Sequence, residues 1–484
     1  MIAHNDGLNT LDQSIPDPDD YALALRHAPR IRFDTREPFM PSVVGYTVFR
    51  DSGPSPSFPR DITLNGEAKT VIEYAIWWDW DIQHLYELEH IWVWLDENDN
   101  VIASEASWHG GLHPMVDENG NPPMEHGRVT VYSESGKHAF APSPAWLLER
   151  APRTRQSCGP KAGRMGVLVT PLFEGKIASR TPLANRAVHS YLQCHAFEPS
   201  FEYNKVFDLE SVVHVPWAQL QAWIPQRVAW WADELVRTLP PNRQHLYNIA
   251  HRGASAYAPE NSLDAFRKAA EMGSDLVEVD IRFTADGVAV VTHDQTLKRV
   301  YGINGAVSDL TLEELYAITP EGMARVPTFE EVAAICHELQ LGLYLDIKEV
   351  NLETTPQILE TLKRYGLLKY SIAGSFVATW VADIKAMEPN LFTSILFGAT
   401  NVDPVALAKS VQCDYVHPCW ERRAMEPHKL LTPEWIKRVH DAGLGIVCWH
   451  EERPSEIAAL RALGVDAICS DMPDLLATYP AFCD

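Results

Sequence analysis

The feature that most limits what this chain can fold into is a regular alternation of strand-like and helix-like runs from about residue 246 onward. Short β-type runs fall at 246–250, 276–284, 288–293, 342–348, 370–375, 392–397, 413–419, 444–449 and 466–470. Most are separated by helical patterns such as 262–272, 328–339, 356–365, 433–442 and 454–463. Several of these open on Pro and close near Gly, which is ordinary capping chemistry. Alternation sustained over about 239 residues fits a parallel α/β barrel. Eight strands close such a barrel, so one run is surplus. Asp286-Gly287 is a strong hairpin signal between two β runs. It predicts that the second strand passes the barrel rim and folds back. A two-residue turn there sets 280 opposite 293.

The first half differs, being rich in Trp, His and Pro, and the change falls near 245. Leu220, Trp223, Val228, Trp231 and Leu235 recur at helical spacing, and Pro240-Pro241 ends the pattern. The expected domains are an accessory domain at 1–214, a helical linker at 215–244 and a barrel at 245–484. Trp77, Trp78, Trp80, Trp92, Trp94 and Trp108 crowd one stretch. Residues 89–96 alternate like a half-buried strand, with a turn at 97–100 and a return at 101–103; a further strand fits 128–132. The fold class expected is therefore an N-terminal all-β antiparallel sandwich followed by a C-terminal α/β TIM barrel.

Composition excludes some partners. With 41 basic and 65 acidic residues the formal charge is −24. Broad nucleic-acid binding needs a cationic surface, and so does a polybasic membrane anchor. No apolar run is long enough for a transmembrane span, and residues 1–6 carry no basic or apolar leader pattern. The eight cysteines show no CxxC and no regular spacing, which argues against a disulfide framework and a Cys-based zinc site. The expectation is a soluble, cytoplasmic protein.

Four short motifs fall where a barrel places its chemistry, at strand ends and the loops that follow. They are His251-Arg252-Gly253, Pro259-Glu260-Asn261-Ser262, Glu278-Val279-Asp280 and His293-Asp294. Glu278 and Asp280 are two apart on a strand and so share a face, while Val277, Val279 and Ile281 take the other. Two carboxylates on an inward face are costly without a cation, and a hard divalent ion with oxygen ligands relieves that cost. Asp346 and Lys348 repeat the spacing on the next strand, adding a third oxygen ligand and a cation for phosphate oxygens. Two histidines, three carboxylates, an Arg and a Lys suit phosphodiester hydrolysis. The imidazoles serve as base and acid near neutral pH, and the cations stabilise developing charge. Glu260 also reads as a helix-capping and dipole residue.

Residues 246–480 resemble the glycerophosphodiester phosphodiesterase family, one of the PLC-like phosphodiesterase barrels. The resemblance rests on the four motifs, on 326–331, on the acidic-x-Lys strand end, on Val447-Cys448-Trp449 and on 464–473. It implies that His251 and His293 are the general acid/base pair and that Glu278, Asp280 and Asp346 bind Ca²⁺ or Mg²⁺. It also implies that Arg252 and Lys348 hold the phosphate, with Glu260 in support. The substrate it implies is a glycerophosphodiester, cleaved to glycerol 3-phosphate and an alcohol by attack of water or the glycerol hydroxyl on phosphorus. Family members usually carry Glu where this chain has Asp346; the shorter side chain calls for a bridging water. Trp449 is expected to line the mouth against an apolar or choline-like group.

In the first half, His84, Glu87 and Glu89 cluster near Asp79 and Asp81, a donor set suited to a second divalent cation. Residues 28–41, His84-x-x-Glu87-x-Glu89-His90 with the following Trp strand and 107–110, and 131–139 resemble the sandwich shared by necrosis-inducing (NPP1-type) proteins and Vps62-like proteins. That resemblance implies contact with a lipid or glycan head group and a bound cation, with Glu87 standing where Asp is usual. Two other functions compete with the leading one. One is a lipid phosphodiesterase similar to sphingomyelinase D, which releases a cyclic phosphate. The other is a head-group binding protein without turnover.

Overall fold

The alternation in the second half closes into a ring. A computed structural model describes residues 8–350, 353–477 and 483. The stretch read for a leader, 1–6, and the last residues of the 245–484 span other than Cys483 lie outside the described residues. The chain divides into two units, one holding 8–180, 187–238 and Cys483, the other 181–186 and the described part of 239–482.

In the second unit, eight strands pair in parallel, each with the next: Tyr247–Ala250, Leu276–Phe283, Gly342–Ile347, Ser371–Ser375, Phe392–Phe397, Tyr415–Pro418, Gly445–Cys448 and Ala467–Ser470. Ile249 lies opposite both Leu276 and Cys469, which closes the barrel. The surplus strand, Ala289–Val291, pairs antiparallel with Leu276–Phe283 as expected. Its register is one residue away from the expected one. Ile281 faces Val291, and Thr292 N–H donates to the Asp280 carbonyl at 2.9 Å. The cause is the turn: Thr284 N–H bonds the Val288 carbonyl at 3.0 Å, leaving a loop of 285–287. Gly287 ends that loop at φ +78°, the left-handed residue that a three-residue hairpin loop requires.

Because successive side chains alternate, each strand presents one series to the interior. Ile249, Leu276, Tyr344, Ile372, Phe392, Tyr415, Val447 and Ala467 pack together there. Further along the same series come Glu278, Asp280, Asp346, His417, Trp449 and Asp471, so the barrel interior passes from apolar to polar toward the strand C-termini. The opposite series, including Val277, Val279, Ile281, Leu343, Leu345 and Ile347, packs with Phe266, Phe329 and Val332 of the helices Leu263–Glu271 and Phe329–Leu339. Full burial of each such side chain contributes about 1.5–3 kcal/mol. The 326–331 segment has a local explanation. Thr328 and Glu331 form a reciprocal capping box at the start of Phe329–Leu339.

The first unit is not an all-β antiparallel sandwich. Among the described residues it holds helices, a two-stranded antiparallel ribbon of Gly53–Pro54 and Asp61–Ile62, and two sheets that mix directions. In one, Arg30–Phe33 pairs parallel with Arg128–Ser133 and antiparallel with Lys205–Asp208. In the other, Val43–Phe49, Thr70–Trp80, His84–Leu95 and Val101–Trp108 form an antiparallel meander, and Val213–Pro216 and Gly166–Val167 join it in parallel. The helix expected as a linker spans Trp217–Thr238 and packs on this meander within the first unit. A Cβ at Gly45 would sit 2.8 Å from Leu220, so glycine there lets the helix approach. Trp223 lies edge-on to Trp77 and Trp231 to Trp80. Arg227 from the helix grips Asp79 with two bonds of 2.8 and 2.7 Å in full burial. The helix cover explains why Thr70–Trp80 is buried almost throughout instead of alternating.

Cys194 and Cys483 form a disulfide across 289 residues of sequence. One bond is no framework, but it is of a kind that a reducing compartment disfavours. Among the described residues, no helix is long and apolar enough to cross a membrane.

Candidate active site

The polar end of the barrel gathers the residues that the motifs singled out. Glu278, Asp280 and Asp346 are buried, and one oxygen from each falls within 4.8 Å of the others. Asp280 and Asp346 are register partners on adjacent strands, which is why spacing along each strand brings the three together. Lys348 Nζ reaches Asp346 Oδ2 at 2.5 Å and Asp280 Oδ1 at 3.1 Å, and Arg252 Nε lies 3.4 Å from Asp280 Oδ2. Glu278 Oε1 and Asp346 Oδ1 are buried without a hydrogen-bond partner. Three convergent carboxylates with unpartnered oxygens are the donor set of a hard divalent cation, so the residues fit the ion that the resemblance implies.

The charges confirm the strain of this grouping. Burial, then Asp280 and Asp346, push the Glu278 carboxyl well above its ordinary value. Burial raises Asp346 to about 6 against the pull of Lys348. Burial also opposes ionisation of Asp280, but Lys348 and Arg252 outweigh it and hold that carboxyl low. Burial disfavours the Lys348 ammonium, yet Asp280, Asp346 and Glu278 raise it above its usual value.

The two histidines stand in matching settings. His251 Nδ1 is 2.6 Å from Asp471 Oδ1, and His293 Nδ1 is 2.7 Å from Asp294 Oδ1. Each carboxylate fixes its imidazole with Nδ1 as the donor, which leaves Nε2 for proton transfer. Burial lowers both histidines below their ordinary value; Asp471 opposes this for His251, and Asp280 and Asp294 oppose it for His293. His450 stacks on His251, with ring centroids 4.9 Å apart. Trp449 stands 5.3 Å from the His251 ring and 5.7 Å from Lys348 Nζ.

The loop after the first strand is unusual in its backbone. Arg252 takes φ +56° and Asn261 φ +55°, a left-handed conformation that costs a non-glycine residue energy and recurs at functional sites. Both are pinned. Arg252 N–H donates to Glu278 Oε2 at 2.9 Å, Asn261 N–H to the Arg252 carbonyl at 2.9 Å, and Asn261 Nδ2 to Asp280 Oδ2 at 2.8 Å. Gly253 is positive in φ as well, and a Cβ on it would lie 2.7 Å from Ala265. Glu260 is no cap; Ser262 caps Leu263–Glu271. Glu260 instead bonds Arg252 at 3.2 Å and Arg299 at 2.9 and 2.5 Å. Spacing gave no role to Asp471, Asn261, Arg299 or His450. Asp471 continues the inward series of its strand two residues beyond Cys469, and that signal was available.

In the first unit, the donor set differs from the one expected. Asp81, His84 and Glu87 bring ligand atoms within 4.8 Å of one another. Glu89 instead accepts from the Ser107 hydroxyl, and Asp79 is held by Arg227. His84 Nδ1 lies 2.7 Å from the Tyr86 carbonyl, so Nε2 is the nitrogen that faces the carboxylates. Burial pushes His84 down to about 4 and so keeps it neutral. Lys137 Nζ sits 2.7 Å from Asp81 and 3.4 Å from His84 Nε2.

A closed parallel barrel whose rim joins an acidic triad, two Asp-held histidines and two cations defines an α/β-barrel enzyme of phosphate-ester chemistry. Comparison with known proteins names it further. Residues 251–475 match the Glycerophosphoryl diester phosphodiesterase family. A glycerophosphodiester phosphodiesterase of Caldanaerobacter subterraneus is 30% identical over 239 residues, 47% of this chain and 95% of that protein. Glycerophosphodiester phosphodiesterase 1 of Bos taurus is 32% identical over 238 residues, 43% and 72% of the two chains. A solved phosphodiesterase of Oleispira antarctica, in complex with its product sn-glycerol-3-phosphate, is 23% identical, covers 50% of this chain and 97% of its own, and superposes with a TM-score of 0.42. The chain belongs to the glycerophosphoryl diester phosphodiesterase family.

Proposed function

We propose that the barrel at 245–484 hydrolyses glycerophosphodiesters to glycerol 3-phosphate and an alcohol, with His251 and His293 as its acid/base pair. The observation that carries this reading is the pairing of each histidine with its own aspartate beside the acidic triad and two cations. One imidazole takes the proton of the attacking water through Nε2 as the new P–O bond forms. The other, protonated, gives its proton to the oxygen of the departing alcohol as the second P–O bond breaks. Arg252 and Lys348 bear on the phosphate oxygens, where charge develops. Glu278, Asp280 and Asp346 would hold a Ca²⁺ or Mg²⁺ ion, which supplies further charge stabilisation when bound. Trp449 forms a wall for the alcohol or glycerol carbons.

The test is release of glycerol 3-phosphate from glycerophosphocholine and glycerophosphoethanolamine by the full chain, with Ca²⁺, Mg²⁺ or EDTA. Metal-dependent turnover to the linear monoester is expected. A cyclic phosphate product transfers the assignment to the sphingomyelinase D-like reaction, and binding without turnover to the head-group binding reading.

For the first unit, at 1–214 with the Trp217–Thr238 helix, we propose an accessory head-group-binding role and a second cation held by Asp81, His84 and Glu87. The neutral His84, with Nε2 turned to two carboxylates, supports the site, where the ion would displace the Lys137 ammonium that stands 2.7 Å from Asp81 and 3.4 Å from that nitrogen. In a Glu278→Gln background, Ca²⁺ or Mg²⁺ is expected still to raise Tm by a few degrees, and Glu87→Gln is expected to remove that shift. A shift that survives Glu87→Gln, or no shift in the first place, ends the proposal.

A further inference from the structure

His293 and Arg252 stand on different loops, yet one unbroken chain of polar contacts joins them. His293 Nδ1 bonds Asp294 Oδ1 at 2.7 Å, and Arg299 Nε donates to Asp294 Oδ2 at 2.5 Å. Arg299 Nη1 and Nη2 then donate to both oxygens of Glu260, at 2.9 and 2.5 Å. Glu260 accepts from Arg252 Nη1 at 3.2 Å, and Arg252 N–H ends the chain on Glu278 at 2.9 Å. All three guanidinium nitrogens of Arg299 are engaged. Its planar fork holds one carboxylate through two nitrogens while the third reaches another, which an ammonium cannot do.

Stability does not account for this arrangement. The Arg299 side chain is 50% exposed and its two partners 24% each, and ion pairs in such settings contribute little. What the contacts do fix is direction. Asp294 has one oxygen on the imidazole and the other on Arg299, so it cannot rotate without breaking a charge-assisted bond.

We propose that Arg299 is a positioning residue. It locks Asp294 so that His293 keeps its proton on Nδ1 and offers Nε2 to the substrate, and through Glu260 it holds the Arg252 side chain over the triad. The inference rests on the reading of His293 as one of the acid/base pair. Loss of an outer partner of this kind lowers activity by about 10–100-fold.

Arg299→Gln in the full chain is expected to lower kcat for glycerophosphocholine by that factor with KM changed less than about threefold. Arg299→Lys recovers only part of the loss. The double variant Arg299→Gln/Asp294→Asn is expected to fall below Asp294→Asn alone by clearly less than the Arg299→Gln factor, because the two share the His293 arm and only the Arg252 arm is lost separately. Unchanged kcat in Arg299→Gln, or losses that multiply, overturns the inference while wild-type turnover leaves the reaction assignment standing. A second readout needs no substrate. In protein labelled with ¹⁵N-histidine, long-range ¹H–¹⁵N correlation is expected to show His293 as the single Nδ1–H tautomer in wild type and as a mixture in Arg299→Gln. The same tautomer in both rejects the positioning role, even if the wild-type enzyme leaves glycerophosphodiesters intact.

Discussion

His293→Ala and His251→Ala are each expected to lower kcat/KM for glycerophosphocholine by about 10²–10⁴-fold, the usual worth of a positioned acid or base. The expectation follows from geometry before titration. Each imidazole has one nitrogen committed to an aspartate, so each offers a single nitrogen for proton transfer. His251 is almost fully buried and His293 is partly open to solvent. Replacing His251 by Ala therefore leaves a cavity, and His251→Gln is the companion variant that keeps the volume. Circular dichroism and Tm close to wild type in His251→Gln separate lost chemistry from lost fold. Burial lowers both histidines, so the acid limb of the kcat/KM profile, where the base takes up its proton, is expected below pH 6.5. Activity in either variant within threefold of wild type, or an acid limb well above pH 6.5, removes that histidine from the mechanism.

Much of this site was legible because a strand alternates strictly. The two-residue steps from Glu278 to Asp280 and from Asp346 to Lys348 place all four side chains inside the barrel whatever the loops do, and the apolar residues between them confirm the face. The Asp286-Gly287 signal disclosed the extra strand but not its register, since a loop of two or three residues carries the same two letters; the loop begins at Ala285 rather than Asp286, and that added residue moved the pairing by one. Arg299 could not be found this way. Its role depends on how a loop and a short helix fold back over Glu260, and no periodicity encodes that. The same limit applies to Asp81, which displaced Glu89 from the first-unit cluster because Ser107, on the neighbouring strand, already satisfies Glu89. The first unit misled for a different reason. Alternating Trp-rich strands fit a two-sheet sandwich, but the helix Trp217–Thr238 covers one face of the meander, and a helix cover leaves the same apolar pattern on a strand as a second sheet does.

Glu278→Gln is expected to lower activity by about 10³-fold, because an ion worth several kcal/mol to the transition state corresponds to that factor at about 1.4 kcal/mol per decade. The same substitution has a consequence for the metal-free protein that runs the other way. Among the described residues, the Lys and Arg side chains paired with Glu278, Asp280 and Asp346 are Lys348 and Arg252, two cations for three buried carboxyls. The folded-state values of Glu278 and Asp346 are raised, the latter to about 6. A group raised on folding binds more protons in the folded state, so its stabilising effect is full below the unfolded value and is lost as pH rises through the folded value. Metal-free wild type is therefore expected to lose Tm as pH climbs from about 4 through 6 and beyond. A divalent cation replaces the missing protons, so Ca²⁺ or Mg²⁺ is expected to raise Tm more at pH 8 than at pH 5. Glu278→Gln removes one of the groups responsible. Its metal-free Tm is expected to exceed that of wild type at pH 8, and in a Glu87→Gln background, which silences the first-unit cluster, the cation-induced shift is expected to vanish. A cation shift of undiminished size in that double variant excludes Glu278 as a ligand. A metal-free Tm that is flat with pH in wild type shows instead that the triad carries no excess buried charge, and the case for a resident cation then falls with it.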